Sequence, residues 1–262
     1  MRPSPPALRI VETYLVTYKR TWKFSMTTTL INPIFFLLGM GVGLGALVDK
    51  GQGTASGALH GVAYLTFLAP GLMAATAMQV AAAESTYPVM GKIKWEATYW
   101  AMLATPLRVR DLLTGQLMWI SLRATQTAVM FLIVMTLFGA VESWLAVFAV
   151  PAAVLTAMAL SAPICGMAAT FERDFSLATI LRFGIMPMFL FSGTFFPIEQ
   201  LPSALRPVAY VTPLWHGVDL SRDLALGTAE LLPSLGHVVY LAAWLAAGSA
   251  FAYRAFQKRL VL

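Results

Sequence analysis

Apolar positions in this chain gather into runs too long for the helices of a soluble domain. A helix needs about 20 predominantly apolar residues to cross the hydrocarbon core of a bilayer. Six stretches have that length: 27–48, 62–83, 117–139, 145–169, 177–196 and 233–256. They predict an all-α polytopic membrane protein, a single transmembrane domain over 1–262. Ahead of the first run, Leu8, Val11, Leu15, Tyr18 and Trp22 recur at spacings of three and four and so share one helical face. Arg9, Glu12, Lys19 and Arg20 lie mostly elsewhere, so residues 1–26 predict a cytoplasmic amphipathic helix lying in the headgroup region. It reads either as a surface anchor or as an elbow that passes a push into span one. A cleavable signal peptide is not expected, because its apolar stretch is short and follows a basic start closely.

Composition and charge sharpen the picture. Of the 262 residues, 58% are hydrophobic and 11% charged, against roughly 25% charged in a soluble domain. So few charges cannot cover a water-facing surface, which excludes a soluble enzyme. Disorder is excluded too, since it needs low hydrophobicity. The net charge of +6 does not point to nucleic acid, because the cations are dispersed and form no basic stripe. Their placement sets topology instead. With the N-terminus inside, Arg2, Arg9, Lys19, Arg20, Lys23, Lys92, Lys94, Arg108, Arg110, Arg173, Arg182, Arg254, Lys258 and Arg259 fall on the inner side. Only Lys50, Arg206 and Arg222 fall outside, and Arg123 sits within span three. Both termini are therefore expected in the cytoplasm.

Three segments stand out between and within the spans. The inner loop 84–114 is punctuated by Pro88 and Pro106, and residues 93–103 predict a short helix with Trp95, Tyr99 and Trp100 as interfacial aromatics. It reads as a solvated connector or as a docking helix for a cytoplasmic partner. The outer stretch 197–232 carries Pro197, Pro202, Pro207 and Pro213 among apolar residues. Proline blocks a continuing helix, so two short re-entrant helices are expected, with Phe196, Tyr210 and Trp215 buried at the outer interface. The alternative is an amphipathic loop lying on the bilayer. Span one carries Gly39, Gly41, Gly43 and Gly45, overlapping small-xxx-small patterns that permit close helix approach. They serve internal packing, or a subunit contact or pathway lining.

Chemistry is sparse. His60, His216 and His237 have no metal-ligand spacing, and no metal site is expected. The one cysteine, Cys165, excludes an internal disulfide. Gly91–Lys92 resembles part of a phosphate loop, but Thr86 stands where the loop's earlier glycine belongs. The chain is therefore not expected to hydrolyse ATP. Charges inside a membrane are costly and functional by default. Glu84 at the end of span two and Arg123 in span three are expected either to pair near the inner interface or to be solvated separately. Methionine and phenylalanine are plentiful, with Met40, Met73, Met78, Met186, Met188, Phe189 and Phe191 in spans one, two and five. Such side chains give adaptable apolar surfaces.

The run Phe191-Ser192-Gly193-Thr194-Phe195-Phe196-Pro197, then Leu201-Pro202, then Thr212-Pro213-Leu214-Trp215-His216-Gly217, resembles the end of type-2 ABC exporter permeases. The fit is closest to their nodulation-factor and daunorubicin-resistance branches. Leu103-Ala104-Thr105-Pro106-Leu107 with Asp111, Gly115 and Trp119 resembles their loop into span three, and Leu68-Ala69-Pro70-Gly71 the start of their span two. The resemblance implies a bacterial cytoplasmic-membrane half-transporter with no cofactor of its own. ATP and Mg would be bound by a separate ABC ATPase present in two copies. A second permease subunit, identical or homologous, would complete the pathway.

It further implies that Lys92, Lys94, Trp95, Glu96 and Tyr99 dock on the ATPase through a coupling helix, and that the N-terminal helix is the connecting helix. Gly39, Gly41, Gly43, Gly45, Met73, Met186 and Phe189 would line the route or the dimer contact. Phe196, Pro197, Pro202, Pro213 and Trp215 would form the outer gate. The expected cargo is an amphiphile, a drug or a lipid-linked compound moved outward. Two rival readings remain. A secondary carrier or channel would need no ATPase, and the lack of mid-membrane charges counts against it. A lipid-modifying enzyme would need a clustered nucleophile, base or metal.

Overall fold

The computed structural model describes residues 5–50 and 62–261. Arg2 and His60 lie outside the described residues, as does the side chain of Lys50. No strand occurs among the described residues, and six helical stretches are long and apolar enough to span a membrane.

The first stretch differs most from expectation. Helix α1 (Pro6–Phe36) runs straight into a π-helical section (Leu37–Leu44) and then α2 (Gly45–Lys50). The amphipathic segment and span one are thus one uninterrupted helix, with no boundary near residue 26. The packed face is also rotated from the expected one: Ile10, Val11 and Tyr14 are buried, while Leu8 and Trp22 are exposed. Pro33 supplies no backbone N–H within this helix, and the wider π turns follow it.

Span two is α3 (Tyr64–Ser85), which is continued after a break at Thr86 by α4 (Tyr87–Lys94). It is the centre of the molecule. Its alanines and Gly71 let neighbours close in from several sides, so that it is buried along most of its length. The short α5 (Thr98–Leu103) follows. The single helix expected over 93–103 is therefore two pieces. Trp95 and Glu96 both donate their backbone N–H to the Gly91 carbonyl at 2.9 and 2.8 Å, and Ala97 turns left-handed at φ 53°.

Span three, α6 (Val109–Leu137), begins earlier than its apolar run because Asp111 accepts the Arg108 N–H at 3.0 Å and starts the helix in polar sequence. Span four is α7 (Ala146–Thr170). Span five is composite: α8 (Asp174–Thr179), a π-helical section (Ile180–Ile185) and α9 (Met186–Phe191), ending short of Phe196. Pro187 opens its last segment.

The outer segment holds two α-helices, α10 (Arg206–Val211) and α11 (Pro213–Leu226), preceded by a 3₁₀ turn (Ile198–Gln200). Thr212 caps α11 by accepting the Trp215 N–H at 3.4 Å, with Pro213 behind it. Span six is α12 (Leu231–Leu260). It packs chiefly on α7, α7 and α11 pack on α3, and α1 packs on α6.

One glycine fixes where α11 sits. A Cβ on Gly217 would overlap the Thr156 side chain of α7. In a free helix, Gly→Ala stabilises by about 1 kcal/mol, but overpacking a closed contact costs about 1–3 kcal/mol. Gly217→Ala is therefore expected to lower thermal stability, read by the melting of the purified chain. An unchanged or raised Tm would show that the contact yields.

Candidate functional site

The starts of α1 and α6, the α3–α4–α5 corner and the end of α12 meet in a polar junction. Gln116 is its hub. Its Nε2 donates to the Glu84 carbonyl at 3.2 Å, and its Oε1 accepts from Lys92 Nζ at 3.2 Å and Tyr99 OH at 3.0 Å. Lys92 Nζ also lies 3.8 Å from the centre of the Tyr14 ring, a cation–π contact. The Tyr14 and Tyr99 hydroxyls are 3.5 Å apart, and the Tyr99 ring packs on Phe256 of α12 at 5.9 Å. Burial pushes the Tyr99 phenol well above its ordinary pKa, so it remains a donor.

One turn deeper, Arg123 Nε donates to Glu84 Oε1 at 3.2 Å, and Trp119 Nε1 donates to Glu84 Oε2 at 3.2 Å. Arg123 Nη1 lies in donor range of Ser25 Oγ (2.8 Å), Tyr18 OH (3.1 Å) and Gln126 Oε1 (3.1 Å). Tyr14 and Tyr18 both meet Trp119 edge-on at 5.6 Å. The structure thus brings Glu84 and Arg123 together and adds two partners from α1, Tyr18 and Ser25, beside Gln126 of α6.

The far side of the corner is open to solvent. Lys94, Trp95, Glu96 and Trp100 are exposed, and Lys94 Nζ donates to the Glu172 carbonyl at 2.6 Å. Two residues expected on this surface are not there. Lys92 points inward from α4 to Gln116, and Tyr99 is fully buried because the break at Ala97 turns α5 back onto the bundle. What remains exposed is a small aromatic and charged tip on a rigid polar base.

At the opposite end, a cavity of about 690 Å³ opens between span one, span five and the segment after it. Phe36, Met40, Leu44, Tyr64, Phe191 and Phe195 line it, with Phe196 and Pro197 at its side. Phe189 is buried next to it, edge-on to Phe195 at 5.1 Å and to Phe36 at 6.4 Å. The lining is almost entirely apolar, suited to hydrocarbon rather than to ions.

The expected pathway residues divide. Gly39, Gly43 and Met186 are exposed. Gly41 and Gly45 are buried, and a Cβ on Gly41 would overlap Leu65 of α3. Met73 is buried in the core with no exposed surface, so it reaches neither a pathway nor a subunit contact. The uniform apolarity of span two concealed which positions face inward. Pro213 is buried at the start of α11 and Trp215 packs on Tyr210 at 4.7 Å, while Pro202 is exposed.

Sequence reasoning missed Arg222, placed with the outer charges. Its guanidinium turns into the bundle, where Nε donates to the Phe67 carbonyl of α3 at 3.1 Å and Nη2 to the Gly193 carbonyl at 2.8 Å. Its carbon stands 3.7 Å over the Phe67 ring. Burial pulls its pKa down to about 10, which leaves it cationic at neutral pH. The signal available was a lone arginine in a segment otherwise able to pack.

Comparison with known proteins is consistent across the chain. The description "ABC-2 type transporter" belongs to the family matching residues 9–226. Nodulation protein J of Rhizobium leguminosarum bv. viciae is 32% identical over 216 residues, which is 81% of this chain and 79% of that one. The Nodulation protein J of R. leguminosarum bv. trifolii is 31% identical over 81% and 78%, and that of Rhizobium meliloti (strain 1021) 29% over the same shares.

Proposed function

Since the chain belongs to the ABC-2 type transporter family, we propose that it is the transmembrane subunit of an ATP-driven exporter whose ATP is hydrolysed by a separate pair of subunits. The observation that carries the reading is the corner made by α4 and α5. Its exposed tip, Lys94-Trp95-Glu96 with Trp100, suits a protein partner, because Trp anchors and flanking charges dominate such contacts. Its base is bonded through Gln116, Lys92 and Tyr99 to α1, α3 and α6. A push on the tip therefore reaches α1 through the Lys92–Tyr14 cation–π contact and the paired Tyr14 and Tyr99 hydroxyls rather than through a loose loop.

The tip and both termini face the cytoplasm in this reading, as the excess of Lys and Arg on that side requires. Spans one and five, largely uncovered within one subunit, meet a second permease subunit, and their π sections supply the adaptable segments. Such widened turns cluster at functional places. The apolar cavity at the outer end accommodates the hydrocarbon part of an amphiphile as it leaves. The subunit performs no bond chemistry. It alternates between two arrangements, and the partner's nucleotide state biases the choice.

Co-purification with the ATPase tests the docking surface. Trp95→Ala combined with Glu96→Ala is expected to weaken the complex at least about thirtyfold, the worth of one interface anchor near 2 kcal/mol. If Lys94, Trp95 and Glu96 can all be changed without loss of binding, the tip is not the docking site.

A further inference from the structure

Two of the histidines, twenty-one residues apart, meet at the outer end. His216 on α11 and His237 on α12 place their Nδ1 atoms 2.8 Å apart. On its other side, His237 Nε2 lies 3.4 Å from Asp219 Oδ2. The His216 ring stacks on Tyr240 of α12 at 3.9 Å, and Trp215 lies edge-on to both imidazoles at 4.7 and 5.4 Å. Tyr240 OH donates to the Val211 carbonyl at the end of α10. Asp219 occupies the far nitrogen of His237, so the three groups do not converge on a point where a cation could sit.

An Nδ1-to-Nδ1 hydrogen bond needs one ring to bring a proton and the other a lone pair. The contact can therefore form with both rings neutral. It can also form with one ring cationic, that ring donating to the lone pair of the other. It cannot form when both rings are cationic, because both nitrogens are then donors and two like charges sit in contact. We infer that His216 and His237 form a proton-released latch, which holds α11 against span six until both imidazoles are charged.

The surrounding groups do not supply a competing lock. On α11 the ionisable neighbours are Asp219, Arg222 and Asp223; Arg222 is committed to the carbonyls of Phe67 and Gly193, and Asp223 accepts from Thr228 at 3.1 Å. From α12 the neighbour is Tyr240, and from α10 it is Tyr210, whose ring packs on Trp215. Span four, packed against α11, carries no ionisable residue from Ala146 to Thr170 except Cys165. In α3, Tyr64 bonds the Phe195 carbonyl at 3.1 Å, and Glu84 belongs to the junction at the other end.

Burial, then the nearness of His237, lowers the His216 pKa. The sign follows from linkage. The released state has ordinary histidines near pKa 6.5 and binds the second proton more readily than the latched state. The latch is intact at neutral pH and weakens as pH falls below about 6.5. Under the orientation proposed above, the pH that matters is that of the outer compartment. The latch itself rests on contact geometry, so its failure would leave the transport reading standing.

Hydrogen–deuterium exchange of the full-length chain in lipid nanodiscs reads the latch directly. After correction for intrinsic exchange rates, exchange in the α11 amides is expected to rise about tenfold between pH 7.5 and 5.5, one released proton's worth. The α7 amides serve as the unchanged reference. His216→Gln and, separately, His237→Gln keep a neutral polar side chain and are expected to remove the pH step. No acid step in the wild-type chain overturns the latch. So does a step that survives both histidine variants, or one that Asp223→Asn alone removes.

Discussion

Replacing Arg222 by methionine is expected to release α11 from the bundle and to abolish transport, while the chain still binds its ATPase. The guanidinium makes two charge-assisted hydrogen bonds to backbone carbonyls on different elements and covers the Phe67 ring. Hydrogen bonds to a charged group are worth about 1.5–3 kcal/mol each, and a cation over an aromatic face adds about 0.5–2 kcal/mol. Some solvent reaches the arginine, so the lower ends apply, and the summed loss is on the order of 3 kcal/mol by those same magnitudes. Methionine restores the volume but none of the donors. Lysine has a point charge in place of a planar fork, so Arg222→Lys is expected to recover less than half of the loss.

Thermal unfolding of the purified chain measures the stability part. Transport by the reconstituted complex, beside co-purification, measures the functional part. Arg222→Met with near-normal transport would show that α11 is held by packing alone. Loss of ATPase binding as well would show that the whole fold depends on Arg222, and that it does not act on the outer segment specifically.

The difference between Arg222 and the spans marks how far the sequence could be read. Span existence was legible because crossing hydrocarbon demands a long apolar run, and no other element tolerates one. The span boundaries were less legible where polar residues extend a helix, as Arg108 and Asp111 do for α6. The continuity of α1 was hidden for the same reason. Lys23 and the hydroxyls of Ser25 and Thr27–Thr29 look like a break, yet in the helix Thr27, Thr28 and Thr29 return their hydroxyls to carbonyls within α1. Hydropathy also cannot say which face of a uniformly apolar helix is inward, which is why Met73 looked available and Gly41 and Gly43 looked equivalent.

The junction was half legible. A carboxylate and an arginine near one interface suggest each other, because lone charges there are costly. Gln116 carries no such tension in the sequence, and neither does the direction of Tyr99. The place of Tyr99 is set by the left-handed turn at Ala97, which no pattern of apolar spacing announces. The histidine pair was equally silent, since residues 216 and 237 meet only after Gly227 ends α11 at φ 78° and the chain returns along span six.

Breaking the Glu84–Arg123 pair is expected to uncouple ATP hydrolysis from transport. The two side chains are mostly buried, 23% and 14% exposed. Removing one partner of a buried pair costs about 3–5 kcal/mol, because the other is left charged and unpaired. The residual exposure puts this pair toward the lower end. Glu84→Gln is gentler than Arg123→Met, since an amide oxygen can still accept from Arg123 or Trp119. Arg123→Met removes the contacts of α6 with the hydroxyls of Tyr18 and Ser25 on α1, while Glu84→Gln loosens α3 from Arg123, so each weakens the route from the docking tip to span one. Basal ATP hydrolysis by the assembled complex is expected to persist, while substrate moved per ATP falls more than about tenfold, the equivalent of some 1.4 kcal/mol of lost coupling.

The charge swap separates attraction from geometry. If the pair were only two opposite charges, Glu84→Arg with Arg123→Glu would restore function. At position 84, however, an arginine meets the Trp119 N–H donor, and at position 123 a glutamate can accept from Tyr18 and Ser25 but no longer donates to Gln126. Partial rescue is therefore expected: more than either single variant, less than wild type. Full rescue would mean that the hydrogen-bonded framework around the pair is dispensable. No rescue, with both singles inactive, would mean that the two charges act separately and that the junction transmits nothing between them.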